Sequence, residues 1–126
     1  MNHSTLLKLA EFEALKQGWS YGDGLTIEKQ ILNQAEKLFY TLFEFGVSKT
    51  DAFPGLHGEV RVTGYEGSHY LEFTVENDGV VTYLYEINDQ EQDYLESLPL
   101  LEALKVAKST LISIKNAKTC PIWSKK

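Results

Sequence analysis

Apolar and polar residues recur along this chain with two different periods, and each period predicts one kind of element. In the first third of the chain the apolar positions return every three or four residues, which is typical of amphipathic helices. We therefore predict one helix over residues 5–17 and a longer one from Ile27 to about Phe45, with Ser4 and Thr26 as their N-terminal caps.

The middle of the chain changes to a period of two, which predicts strands with one buried face. Three segments show it: "GEVRVTG" (58–64), "HYLEFTVE" (69–76) and "VTYLYEI" (81–87). Between the last two, "ENDGV" predicts a tight hairpin that sets Val75 opposite Val81. On that register the third strand turns Leu84 outward.

The remaining segments look less regular. Residues 48–58 contain a Pro-Gly turn and are predicted to form a loop, and residues 90–97 a short helical turn capped by Asn88 or Asp89. A last amphipathic helix is expected over about 98–116.

These elements predict one α+β domain over residues 1–126. It consists of two N-terminal helices, a three-stranded antiparallel meander, and a C-terminal helix packed on one face of the sheet. The length of 126 residues is usual for a single domain.

Composition bears on the cellular compartment of the protein. The N-terminal segment "MNHSTLLKLAEFEALK" carries a charge every few residues, so we expect no signal peptide. We also expect no membrane span, since no apolar run approaches the roughly 20 residues that a span needs. The single cysteine, Cys120, cannot form an intrachain disulfide, which favours the cytoplasm.

Charge is unevenly distributed along the chain. Residues 1–99 hold 6 basic and 17 acidic side chains, a net −11, whereas residues 100–126 hold 6 lysines and one glutamate, a net +5. The acidic body argues against nucleic-acid binding, because such binding depends on Lys and Arg that neutralise phosphates. The lysines near the C-terminus suit the negative end of a helix dipole.

Two segments resemble a known family. "GWSYGDG" ahead of a helix, and "TDAFPGLHGEVRVTGYEGSHYLEFTVE" after it, resemble a family of small uncharacterised bacterial proteins with a Gly-Trp-x-x-Gly-x-Gly segment, a Pro-Gly turn and a GEVxV hairpin. The resemblance covers roughly residues 16–76. It implies a bacterial, stand-alone domain, and it implies no catalytic residue.

The glycine-rich segment at 18–24 admits two interpretations. A phosphate-binding loop would also precede a helix, but nucleotide fingerprints place a strand before the glycines and the Walker pattern needs Gly-Lys-Ser/Thr. The alternative is a structural corner in which the glycines permit unusual backbone angles and Trp19 and Tyr21 fill the turn. We favour the corner.

No motif announces a metal or a cofactor, and we expect neither. The three histidines lack the close spacing of zinc ligands. A ligand-binding or catalytic alternative would place a pocket between the loops at 18–25 and 50–58. Trp19, Tyr21, Asp51 and His57 would then line it, with the carboxylate orienting the imidazole.

The aromatic residues favour a different function. Tyr65, Tyr70 and Leu84 are expected on the outward side of the sheet, near Arg61 and Glu72, where they would form an amphipathic patch typical of protein contacts. Our first hypothesis is therefore a non-enzymatic interaction module, accessory, antitoxin-like or immunity-like, which binds a protein partner or forms a homodimer. The ligand-binding protein or unrecognised enzyme is the alternative.

Overall fold

The structure, a computed structural model, describes residues 4–119 and has an α+β fold. Cys120 and His3 lie outside the described residues. The elements follow one another in this order: α1 (Ser4–Phe12), α2 (Lys29–Glu44), β1 (Lys49–Pro54), β2 (Val60–Glu66), β3 (His69–Val75), β4 (Val81–Ile87), β5 (Gln90–Leu98) and α3 (Leu100–Thr119). One short helix is therefore N-terminal, one precedes the sheet, and one is C-terminal.

The strands form one antiparallel sheet in which each strand pairs with its neighbours in sequence, in the order β1-β2-β3-β4-β5. The hairpin between β3 and β4 sets Val75 opposite Val81, which confirms the predicted register. Gly79 holds the left-handed angle of that turn, with φ of 91°.

The prediction of a three-stranded meander was wrong, because the sheet has a strand at each edge that the pattern did not show. The first is β1, which lies within the predicted loop at 48–58. Only Ala52 of this strand is buried, so the strand gives no run of alternating apolar residues. Pro54 ends it, as suits an edge strand, where a missing N–H is tolerated.

The second unpredicted strand is β5, over the segment predicted to be a helical turn. Asn88 and Asp89 both adopt positive φ, 51° and 63°, and so form a tight two-residue hairpin instead of a helix cap. Two register shifts interrupt the pairing of β4 with β5, and in β5 only Leu95 and Leu98 are partly buried. The irregular register removes the period of two that would have identified the strand.

Both helices before the sheet are shorter than predicted. After Phe12 the chain continues in turns that bond each N–H to the carbonyl three residues back, such as Ala14 to Glu11 at 3.0 Å. Before α2, the N–H of Leu25 donates to the carbonyl of Leu56 at 2.9 Å. This bond holds the segment extended against the loop after β1, so α2 begins at Lys29 and Thr26 does not cap it.

The sheet packs its inner face against the helices. Alternate residues of the central strands, among them Val62, Phe73 and Tyr83, have no exposed surface. The buried stripe of α2 lies over β2 and β3, where Gly64 leaves room for the side chains of Val47 and Leu42. The helix α3 lies over β4 and β5, and α1 lies along β1.

The two edges of the sheet differ in how they are shielded from pairing with further strands. The helix α1 contacts the β1 edge, with a hydrogen bond of 2.7 Å between the hydroxyls of Thr5 and Thr50 and an ion pair between Lys8 and Asp51. The β5 edge instead carries Glu91, Asp93 and Glu96 and is irregular, two features that discourage pairing with further strands.

Candidate functional site

The outer face of the sheet, the side opposite the inner face, consists of three rows of side chains that the register places across the strands. We name them row 1, row 2 and row 3. From β1 to β5, row 1 is Lys49, Tyr65, Tyr70, Glu86 and Glu91; row 2 is Asp51, Thr63, Glu72, Leu84 and Tyr94; row 3, which ends at β4, is Phe53, Arg61, Thr74 and Thr82. In residues 4–119 no helix lies across this face, although Lys8 of α1 reaches its β1 edge.

The five residues of the predicted interaction surface all belong to this face. The rings of Tyr65 and Tyr70 lie 4.7 Å apart, and the hydroxyl of Tyr70 donates to Glu72 at 2.6 Å. Arg61 approaches the same carboxylate at 3.9 Å, and Leu84 pairs with Glu72 across the strands. Burial, and then the bond to Glu72, raises the pKa of Tyr70, so this phenol stays protonated and donating.

The sequence pattern did not predict the outer-face residues of the two edge strands. Phe53, Lys49, Tyr94 and Glu91 lie on the two edge strands, and Tyr94 is 47% exposed. The hairpin formed by Asn88 and Asp89 was the feature that could have revealed β5, since two such residues in sequence favour the left-handed turn.

Charge changes sign from one side of the outer face to the other. Lys8, Lys49 and Arg61 lie on the side of β1 and β2. On the side of β4 and β5 the register and the contacts of Tyr94 gather four carboxylates: Glu76, Glu86, Glu91 and Glu96. Within residues 4–119 none of these four carboxylates forms an ion pair.

The acidic side is strained electrostatically. Glu86 and Glu91 face each other directly across β4 and β5, an arrangement that destabilises a sheet. Burial and the neighbouring Glu96, Glu76 and Glu91 raise the pKa of the Tyr94 phenol. The fold therefore holds uncompensated negative charge around an exposed aromatic ring.

The basic side, by contrast, contains one internally paired carboxylate. Burial acts to raise the pKa of Asp51, but its hydrogen bonds from Lys8 and from the N–H of Ala52 outweigh this and lower it. Lys8 also lies 5.0 Å from the centroid of the Phe53 ring, a cation–π contact.

A shallow depression of about 430 Å³ opens on the basic side of the face. Thr63, only 5% exposed, is among its lining, and the longer side chains of Phe53, Arg61, Tyr65 and Tyr70 stand around it. Asp51 and Lys49 also line it, so its walls combine aromatic rings with charged side chains of both signs. On the acidic side, Leu84 lies in the same row as Thr63.

The four residues of the predicted pocket do not line a common cavity among those described. Trp19 closes its own loop: its indole N–H donates to the carbonyl of Leu25 at 3.0 Å, and its ring fills the space beside Gly24. Tyr21 is fully exposed at the tip of that loop, with φ of 51°. The structure thus places Trp19 in a structural corner and Tyr21 outside it.

Asp51 and His57 are not brought together either. Asp51 lies in β1 on the outer face, bound to Lys8, whereas His57 follows the turn after β1. The backbone of His57 is held on both sides, its N–H by Glu59 and its carbonyl by Asn77, each at 2.8 Å. The two loops do adjoin through Leu25 and Leu56, but nothing in this geometry favours the ligand-binding alternative.

The most voluminous groove found lies away from all of these residues. It measures about 700 Å³ at the C-terminal end of α2, with Phe39, Phe43 and Val47 in its lining. Its only ionisable side chain is Glu44. In the described part of the chain no three His, Cys, Asp or Glu side chains gather as a metal would require.

Comparison with models of protein families, with curated proteins and with solved structures found no match to this chain. Within residues 4–119, no helix combines the length and apolar character needed to cross a bilayer.

Proposed function

We propose that this protein is a non-enzymatic interaction module that contacts another protein chain through the outer face of its sheet. The observation that carries the proposal is a complete sheet face, five strands wide, which the described helices leave uncovered and which displays Phe53, Tyr65 and Tyr94 at 43–50% exposure. Tyr and Arg surrounded by polar groups are the side chains that dominate protein interfaces.

The charges of the face support the same function. A carboxylate pair such as Glu86 and Glu91 lowers the stability of the isolated sheet, and a cationic partner would compensate it. The aromatic rings supply the apolar area, and charged side chains on the edge strands, such as Lys49 and Glu91, supply a polar border. We keep the cytoplasm as the proposed compartment, on the basis of the single cysteine.

Site-specific photo-crosslinking in cells tests the proposal. A photoreactive phenylalanine analogue replaces Tyr94 or Tyr65 on the outer face, and in the control it replaces Ile112 on α3. Tyr94 and Ile112 are both 47% exposed, so the two positions are matched in accessibility. We expect a discrete crosslinked protein product from Tyr94 and Tyr65 and none from Ile112.

Equal crosslinking from the outer face and from α3, or none from the outer face, would contradict the proposal. A product of any composition at Tyr94 and Tyr65 supports it, whether the second chain is this protein or another.

A further inference from the structure

We infer that the partner of the outer face is a second copy of this chain, bound face to face about a two-fold axis that runs parallel to the strands and over β3. This inference rests on the proposed function, since it names the partner of the same surface. In such a dimer each copy presents the same face, as a closed two-fold interface requires.

The charge pattern of the outer face is complementary to itself about this axis. Rotation about this axis places β1 over β5 of the partner subunit and β2 over β4, so each basic side covers an acidic side. In row 1, Lys49 then faces Glu91 of the partner subunit, and Arg61 of row 3 lies diagonal to Glu96 of the partner subunit. Every such contact occurs twice.

The orientation of the axis follows from the same charges. A two-fold axis perpendicular to the strands would instead place β4 over β4 and β5 over β5, so that the acidic side of each copy, with Glu86, Glu91 and Glu96, would meet the acidic side of the other. Like charges that meet at an interface are strongly unfavourable, so the pattern selects the parallel axis.

The shape of the face favours the same axis independently of its charge. Thr63 belongs to the lining of the depression on β2, and Leu84 lies in the same row on β4. The parallel axis sets Leu84 of the partner subunit over Thr63, so an apolar side chain meets a depression with aromatic walls. At the centre of the interface the two β3 strands lie over each other, and Tyr70 approaches Tyr70 of the partner subunit.

Two carboxylates lie nearest the axis, Glu72 on β3 and Glu76 directly after it, and each accepts a hydrogen bond within its own chain. Glu72 accepts the hydroxyl of Tyr70 and lies 3.9 Å from Arg61, so its approach to the symmetry axis does not leave a bare charge. Glu76 accepts the hydroxyl of Thr82 at 2.9 Å, while Glu86, Glu91 and Glu96 lie on β4 and β5, away from the axis.

The size of the face agrees with a reversible dimer. Five strands spaced about 4.8 Å apart and seven residues long span about 24 by 23 Å, or about 550 Å². Two such faces bury about 1,100 Å², near the lower limit of specific interfaces. Sheets packed face to face lie about 10 Å apart, a distance that these side chains can fill.

Complementary charge reversal tests the inference. One variant carries K49E and R61E, a second carries E91K and E96K, and a control carries K105E and K108E on exposed positions of α3, with the same charge change as the first. Analytical ultracentrifugation measures self-association of each, and circular dichroism verifies that each is folded.

We expect the unmodified chain and the control to dimerise with similar affinity, and each outer-face variant alone to self-associate at least about tenfold more weakly. An equimolar mixture of the two outer-face variants restores dimers, because every reversed charge then meets a reversed partner. Simple loss of folding cannot produce this restoration.

The inference is overturned if the unmodified chain is monomeric at all concentrations, or if the mixture stays monomeric while the unmodified chain dimerises. If the chain is monomeric and Tyr94 nevertheless crosslinks to a different protein, the proposed function stands and only the identity of the partner changes.

Discussion

The two faces of the sheet are built from the same strands, yet they differ in almost every physical property. Along β4, Tyr83 is buried against the helices, with its hydroxyl 2.7 Å from that of Thr110, while the next residue, Leu84, lies on the uncovered side. In the central strands the inner face is mostly apolar, and its middle is buried against the helices. The outer face combines exposed aromatic rings with charges of opposite sign at its two sides.

This difference shows how a single alternating pattern separates stability from function. Because successive residues point to opposite faces, one set of positions can be selected for packing and the other for contact. The inner set determines whether the sheet forms. The outer set tolerates a destabilising pair, Glu86 and Glu91, which an isolated fold would not need.

The largest expected effect is a cavity in the inner face. Phe73 is fully buried and its ring lies 5.2 Å from that of Tyr83, so Phe73→Ala should lower the free energy of unfolding by about 3–5 kcal/mol. On the outer face, Tyr65→Ala should cost less than about 1 kcal/mol, since the side chain is already half exposed. Urea denaturation compares the two; equal losses would contradict the distinction between the faces.

A smaller effect is expected at high pH. Burial raises the pKa of Tyr83 to about 12, above the usual value of 10. The unfolded chain therefore loses this proton first, so the contribution is complete below pH 10 and is lost as the pH rises to 12. The loss should amount to about 2 kcal/mol at pH 12, where half of the folded Tyr83 is still protonated, and should approach about 3 kcal/mol at higher pH, from two pKa units at 1.36 kcal/mol each.

Unfolding measured in urea between pH 9 and 12 tests this dependence, with Tyr83→Phe as the matched variant. The variant should lose about 1 kcal/mol at neutral pH, because Thr110 loses its partner, and should show a shallower fall above pH 10. An unchanged pH profile in the variant would show that Tyr83 is not the group responsible.

The smallest effect should have the opposite sign. Glu91→Lys replaces a facing like-charge pair with an attractive one, and should raise the free energy of unfolding by about 0.2–1 kcal/mol. Glu11→Lys, at an exposed position on α1, makes the same change in net charge and should leave stability within about 0.5 kcal/mol. If Glu91→Lys destabilises the dilute protein, the carboxylate pair is not strained as described.

The central strands could be predicted from sequence, whereas the edge strands could not. In β2, β3 and β4 one face is buried by helices, so apolar residues alternate and the register follows. At the edges that constraint fades: β1 buries only Ala52, and the register shifts of β5 break the alternation. A pattern that records burial cannot detect strands that are hardly buried.

The same limit decides how much of the candidate site was predicted. Tyr65, Tyr70 and Leu84 belong to central strands, so their common face followed from the period of two. Phe53 and Tyr94 belong to the edge strands, which the pattern did not predict, so their place on the outer face was not predicted either. The corner at 18–24 was expected from its glycines. The hydrogen bond from Trp19 to Leu25 that closes it could not be predicted, because such a bond leaves no periodic pattern in the sequence.

The measurement that tests the central claim most directly is fluorine NMR of the protein labelled with 3-fluorotyrosine at its seven tyrosines, recorded from low micromolar to millimolar concentration. Tyr65, Tyr70 and Tyr94 lie on the outer face, while Tyr21 and Tyr40 are exposed elsewhere and act as internal controls. We expect the three outer-face resonances to shift with concentration and the two controls to stay constant. Shifts confined to Tyr21 or Tyr40, or no shift at any concentration, would contradict an outer face that binds its own copy.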